Sequence, residues 1–182
     1  MELVVPSLAH IEGYTDALKR GWSADNIRLE VAAREELAKI STDPAAFVTS
    51  MDNREAKGGP IVLPDGSKAA RLPGFRRWMW DGDFCGSIGF RWQPGTAALP
   101  PHVLGHIGYA VVPWKRGRGY ATEALRLMLD EARALGLGHV ELTTDPDNFV
   151  SQKVITANGG VFVERFTATA YGKDELRFQI PL

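Results

Sequence analysis

Pro113-Trp114-Lys115-Arg116-Gly117-Arg118-Gly119-Tyr120-Ala121 stands where the chain changes character. Before it, residues 104 to 112 (LGHIGYAVV) read as an apolar strand that Pro113 ends, because proline cannot extend a β-ladder. After it, Ala121, Ala124, Leu125, Met128, Ala132 and Leu135 recur on one face at helical spacing, and Gly136 supplies the stop. A strand running into a glycine-rich turn that opens a helix brings unpaired backbone N–H groups and the positive end of the helix dipole to one point. Phosphate is attracted to such a point. Gly117 and Gly119 permit backbone conformations closed to other residues, and Arg116 and Arg118 can add charge-assisted bonds. With Lys115 they make three cations in one turn, which suits a compact pyrophosphate better than a long polyanion.

Two familiar phosphate loops do not fit. The segment lacks the GxxxxGK[ST] spacing, and Thr122 stands where the dinucleotide fingerprint GxGxxG needs its third glycine. From the turn alone, a solvated Arg/Gly bend at a helix start is as good a reading as a phosphate site.

Upstream, LVVP at 3 to 6 reads as a strand, followed by helices over about 8 to 21 and 28 to 40. The stretch from 52 to 74 is rich in Gly, Pro, Lys and Asp and carries a PDG turn signal at 64 to 66, so it reads as a long loop or hairpin insertion. RRWMW, the Asp81-Gly82-Asp83 turn and FCGSIGFRW make a hairpin, and its aromatics Trp78, Trp80, Phe84, Phe90 and Trp92 are expected to pack across the strands. Downstream, HVELTT at 139 to 144 reads as a strand, Asp145 to Asn148 opens a short helix ending at Asn158-Gly159-Gly160, and VFVERF and ELRFQI complete an antiparallel pair. The order implies one α/β domain over 1 to 182, with a mixed, mostly antiparallel sheet flanked by helices and a parallel crossover between strands 104 to 112 and 139 to 144.

Composition narrows the function classes. The formal net charge of -1 gives no global basic field, so nucleic acid is not expected as a partner. No apolar run approaches the roughly 20 residues that span a bilayer. The lone Cys85 forms no internal disulfide and the N-terminus has no leader pattern, so a cytoplasmic location is expected. His102 and His106 are four apart, but Pro100, Pro101 and Gly105 oppose the helix that would align them, and no metal is expected.

The run from Pro113 resembles the GNAT acetyltransferase signature [Q/R]-x-x-G-x-[G/A], read as Arg116-x-x-Gly119-x-Ala121. YATEAL at 120 to 125 is similar to the helix start of the ribosomal-protein N-acetyltransferase branch, and HIGYAVVP to the family's central strand. Asn148-x-x-Ser151, followed by Val154, Ile155 and Asn158-Gly159-Gly160, resembles a second motif of that family in the expected order, so the likeness covers about residues 76 to 166.

The resemblance implies a parallel strand pair splayed at an acetyl-CoA site, with acetyl-CoA as co-substrate. The backbone at Ala110 and Val111 would pair with the pantetheine arm, amides of Gly117, Arg118, Gly119, Tyr120, Ala121 and Thr122 with Arg116 would hold the pyrophosphate, and Asn148 would bond the pantetheine besides capping its helix. Chemistry in that family is direct attack of an amine on the thioester, so Cys85 is not needed as a nucleophile. The resemblance offers Ser151 as the acid, because Ile155 occupies the position where many relatives carry tyrosine. Thr143 occupies the place of a frequent carboxylate base, which leaves His106 as the candidate base or as a structural histidine. An N-acetyltransferase acting on a small-molecule or peptide amine is therefore expected, in a possible homodimer. The alternative is a non-catalytic acyl-CoA-binding or sensor module, and turnover separates the two.

Overall fold

The structure, a computed structural model, describes residues 1–63, 66–169 and 172–182. The elements are β1 (Glu2–Val4), α1 (Ile11–Lys19), α2 (Leu29–Thr42), α3 (Pro44–Ser50), β2 (Asp52–Asn53), β3 (Ile61–Val62), β4 (Lys68–Ala69), β5 (Gly74–Trp80), β6 (Phe84–Arg91), β7 (Ile107–Val111), α4 (Tyr120–Arg133), β8 (His139–Thr144), α5 (Phe149–Ala157), β9 (Val161–Ala168) and β10 (Lys173–Pro181). Short 3-10 turns precede α1 and α4.

Strand pairing divides these into two main antiparallel sheets. The first runs β1-β5-β6-β7 with β2 also on β5, and the second runs β8-β10-β9. The expected splayed pair is joined at its base, where His106 N donates to Glu141 O at 2.8 Å and Glu141 N donates to His106 Nδ1 at 2.9 Å. Beyond that point β7 bonds to β6 and β8 to β10, so the strands belong to separate sheets. β7 begins at Ile107 instead of Leu104 because Gly105 and His106 are committed to this seam.

Alternating side chains serve the two faces of the first sheet. On one side Phe75, Met79, Ile88, Phe90 and Ile107 meet the helical stripe Ala124, Leu125, Met128 and Ala132 of α4. Val140, Leu142, Phe178 and Ile180 of the second sheet and Val154 and Ile155 of α5 join the same cluster, so α4, against the first sheet, and α5, against β8, together link the two sheets. Each fully buried large side chain there contributes about 1.5–3 kcal/mol of transfer free energy. On the other side Trp78, Phe84 and Val112 pack under α1 to α3 with Tyr14, Leu18, Trp22 and Phe47.

The hairpin aromatics are thus divided between two layers. Trp78 stacks on Tyr14 of α1 at 4.6 Å between ring centroids, while Phe90 stacks on Trp92 at 5.6 Å. α3 was not anticipated, although its start carries a local signal: Pro44 at the first position and Asp43 Oδ1 accepting from Ala46 N at 2.9 Å. Within 52 to 74, β2 joins the first sheet and β3 pairs β4 as a small hairpin. Two residues of the anticipated PDG turn, Pro64 and Asp65, lie outside the described residues. Among the described residues no helix is long and apolar enough to cross a membrane.

The seam is tight at Gly105, where an added Cβ would stand 3.0 Å from Glu141 O and 3.2 Å from Leu142 Cα, both backbone atoms. Gly105→Ala is expected to cost about 1–3 kcal/mol, the usual size of an overpacking penalty. Urea unfolding measures it, and an unchanged midpoint would mean that the sheets can part there freely.

Candidate functional site

β7 ends the first sheet, so among the described residues no strand pairs with its outer edge. Which groups line that edge follows from alternation. Arg91 N donates to His106 O and Val112 N donates to Cys85 O, both at 2.9 Å, which turns the even-numbered positions of β7 toward β6. Ala110, opposite Ser87, therefore directs its own N–H and C=O to β6, and Tyr109 and Val111 present theirs at the open edge. Arg116 Nε donates to Val111 O at 3.3 Å, in keeping with that outward direction. Of the two residues expected to pair with a ligand here, Val111 is suitably oriented and Ala110 is not.

Beyond β7, Gly117 and Gly119 both take φ of 76°, in the left-handed region that disfavours side chains. Among the described residues nothing lies within 4 Å of the position a Cβ would occupy on either, so the front of the turn is open. Gly119 caps α4 with no side-chain bond, and the first bond back along the helix is Glu123 N to Gly119 O at 3.1 Å. The amides of Tyr120, Ala121 and Thr122 consequently have no acceptor within the helix. They meet the positive end of a 14-residue dipole at an open, glycine-lined bend.

The cations divide differently from the reading of the turn alone. Lys115 Nζ is bound to Asp81 Oδ1 at 2.7 Å, and the Tyr120 hydroxyl donates to Asp81 Oδ2 at 2.5 Å. These bonds, the lysine first, hold the Asp81 carboxyl below the usual carboxylate range. Lys115 is therefore spent on the hairpin turn, leaving the exposed Arg116 and Arg118 to serve the bend. Asp81 looked like turn chemistry in the sequence, yet it ties the β5–β6 turn to the start of α4.

α5 closes the site from the side of β8. Asn148 Oδ1 accepts from Ser151 N at 3.1 Å, as an N-cap does. The Ser151 hydroxyl lies 2.9 Å from the Tyr109 hydroxyl, bridging α5 and β7. Asn158 Nδ2 donates to Thr122 O at 3.1 Å and to Val154 O at 2.9 Å, fastening the end of α5 to the first turn of α4. The sequence shows Asp81 only as a turn residue and Asn158 only at the end of α5, and it gives the Tyr109 side chain no role. The available signal for Tyr109 was a polar tip alternating with Ile107 and Val111.

Of the two readings of His106, base or structural histidine, its surroundings favour the second. It is fully buried and its Nδ1 lone pair already accepts the Glu141 amide, so the neutral ring carries its proton on Nε2. Burial first, then His139 and Arg91, lower its pKa to about 4. A ring with no free lone pair is a structural link and not a general base. Cys85 is likewise buried, donates to Asp83 O at 3.3 Å, and is pushed by burial and the Asp81 carboxylate up to about 12, which keeps it a thiol.

The profile of the acetyltransferase (GNAT) domain matches residues 24–161. No curated protein matches the chain by sequence. Among solved structures the fold is similar to Mycobacterium smegmatis RimJ in complex with CoA-disulfide, with 18% identity, coverage of 98% of this chain and 85% of that one, and a TM-score of 0.65. It is similar also to RimL, a ribosomal L7/L12 alpha-N-protein acetyltransferase in complex with coenzyme A, at 14% identity over 99% and 93% with a TM-score of 0.63. The microcin C7 self immunity acetyltransferase MccE, in complex with acetyl-CoA and AMP, gives 13% identity over 99% and 91% and a TM-score of 0.60. At these identities the likenesses establish a shared fold.

The depressed His106 pKa has a pH consequence. The unfolded chain takes up the proton near 6.5 and the folded chain only near 4, so the stabilisation is complete above 6.5 and is lost as pH falls to about 4. The loss is about 3 kcal/mol at 1.36 kcal/mol per unit. Urea unfolding between pH 7 and pH 4 should show this dependence in wild type and not in His106→Gln, whose side-chain oxygen can still accept the Glu141 amide. Equal pH dependence in both would assign the proton to another group.

Proposed function

The chain belongs to the GNAT acetyltransferase family, and we propose that it moves the acetyl group of acetyl-CoA directly to a primary amine of a small molecule or a peptide. The carrying observation is the uncapped start of α4 behind two left-handed glycines, set beside the unpaired edge of β7. These are complementary to the two ends of one ligand. Backbone N–H groups from Gly117 to Thr122, with Arg116 and Arg118, suit a pyrophosphate; the outward groups of Tyr109 and Val111 suit an amide-bearing pantetheine arm that adds like a strand. Asn148, at the start of α5, would bond the same arm from the opposite side. Both RimJ and RimL are held with forms of coenzyme A, which supports this choice over other anions.

With that ligand in place the thioester would lie in the gap between β7 and α5. The amine nitrogen attacks the carbonyl carbon, a C–N bond forms, and the carbonyl electron pair moves to an oxygen stabilised by an outward N–H of β7. Collapse breaks the C–S bond and leaves its electron pair on sulfur. Ser151 then supplies a proton to sulfur, and the surplus proton on nitrogen restores the serine hydroxyl through water. Because His106 has no free lone pair, deprotonation of the incoming ammonium falls to water or to the substrate's own ionisation. Acceptors of both kinds are in scope, since relatives of this fold include a protein α-amine acetyltransferase and a microcin immunity enzyme.

Two measurements test the reading. Calorimetry with CoA should show at least about tenfold weaker binding, about 1.4 kcal/mol, to Gly119→Asp than to Gly119→Asn. Both side chains tolerate the left-handed conformation, so the difference isolates the new charge beside the pyrophosphate. Equal affinities would remove the cradle. Acetyl-CoA consumption over a panel of small amines and peptide N-termini should then give turnover with at least one of them, whereas tight CoA binding with none would favour the sensor module.

A further inference from the structure

We propose that Tyr109 is a positioning residue that holds the Ser151 hydroxyl in its role as proton donor to the departing thiolate, an inference that rests on the acetyl-transfer reading above. Several hydroxyls in this protein's helices bond back to their own backbone. Thr42 donates to Ala38 O, Thr49 to Ala45 O and Thr156 to Gln152 O, at 2.8 to 2.9 Å. Ser151 instead meets another hydroxyl from across the gap, with Tyr109 Oη 2.9 Å from its Oγ and 3.4 Å from its carbonyl oxygen. Its amide is held by Asn148 Oδ1, so both ends of the residue are fixed.

The direction of the bond follows from the proton count. A phenol has one hydrogen, and the two acceptors that Tyr109 reaches both belong to Ser151. Donation from tyrosine to Oγ satisfies the phenol and leaves the serine's own proton free to point at sulfur. The opposite direction would spend that proton on the tyrosine. Burial raises Tyr109 to about 12, so the phenol stays protonated and remains a donor throughout the working range. As the C–S bond breaks, only the Ser151 proton moves, and no buried phenolate forms. Tyr109 is also one of the odd-numbered residues of β7 whose backbone faces away from β6, so one residue couples that edge to the proton donor.

The test is a double-mutant cycle in the full-length enzyme with its best amine. Tyr109→Phe keeps the ring in the core and removes one oxygen. It should lower kcat about tenfold while leaving KM for acetyl-CoA, and calorimetric CoA affinity, within about twofold. Ser151→Ala should lower kcat at least as much. If Tyr109 works only through the serine, the double variant should be no slower than Ser151→Ala alone. Multiplicative losses would overturn the proposal, as would a wild-type kcat in Tyr109→Phe beside an impaired Ser151→Ala. Full activity in Ser151→Ala would overturn it by removing the serine from the acid role. Should Tyr109→Phe fold poorly, Tyr109→Met supplies the second arm: it fills the same partly buried position without a hydroxyl, should lower kcat about as much, and a wild-type kcat in it would overturn the proposal. Loss of the acetyl-transfer reading itself looks different, with no turnover by wild type on any amine.

Discussion

The divergence of two strands from one shared point underlies the rest of this structure. At the seam, His106 and Glu141 exchange a backbone bond and an imidazole-to-amide bond, and Gly105 lets the segments approach because it has no Cβ. Past it, β7 and β8 each take a different antiparallel partner. A strand edge without a ladder is costly to leave in a core and prone to pairing. Here it is kept open beside α5, and that makes it available for a ligand whose own amides can add to it.

Keeping two sheets apart yet rigid requires something to bridge them. α4 does so through a stripe of small and large apolar side chains in the common core, reinforced from outside by a bidentate pair in which Arg77 Nε and Nη2 meet Glu131 at 3.0 and 2.7 Å. Arg77 is largely buried, so this pair is shielded from solvent, and its geometry satisfies both carboxylate oxygens. Asp81 then orients the start of the helix through Lys115 and Tyr120, and Asn158 fixes α5 to its first turn. The bend from Arg116 to Gly119 is consequently placed by the side chains of Arg77, Glu131, Asp81 and Asn158, none of which is given a ligand to hold.

Within that frame the polar side chains divide by whether their bonding capacity is spent. His106, Lys115 and Cys85 look reactive by type, but each is committed: the imidazole to a backbone amide, the ammonium to Asp81, the thiol to a carbonyl. The amides at the start of α4 keep capacity in reserve, and so does Ser151 on the proposed direction of its bond to Tyr109. Catalytic potential here follows from unspent donors rather than from residue identity.

The sequence by itself determined the hairpin around Asp81-Gly82-Asp83, the amphipathic α4, the capped start of α5 and the phosphate-like bend at Gly117 and Gly119. Each depends on contacts within a few residues, where alternation, helical spacing and turn chemistry act directly. Even α3 was legible in Asp43 and Pro44. Only the tertiary structure decided that His106 is a bolt between sheets, that Ala110 faces inward while Tyr109 and Val111 face out, and that Tyr109 reaches Ser151 across 42 positions of chain. Those outcomes depend on which strand lies alongside which, and a hydrogen bond between distant segments leaves no periodic trace in either of them.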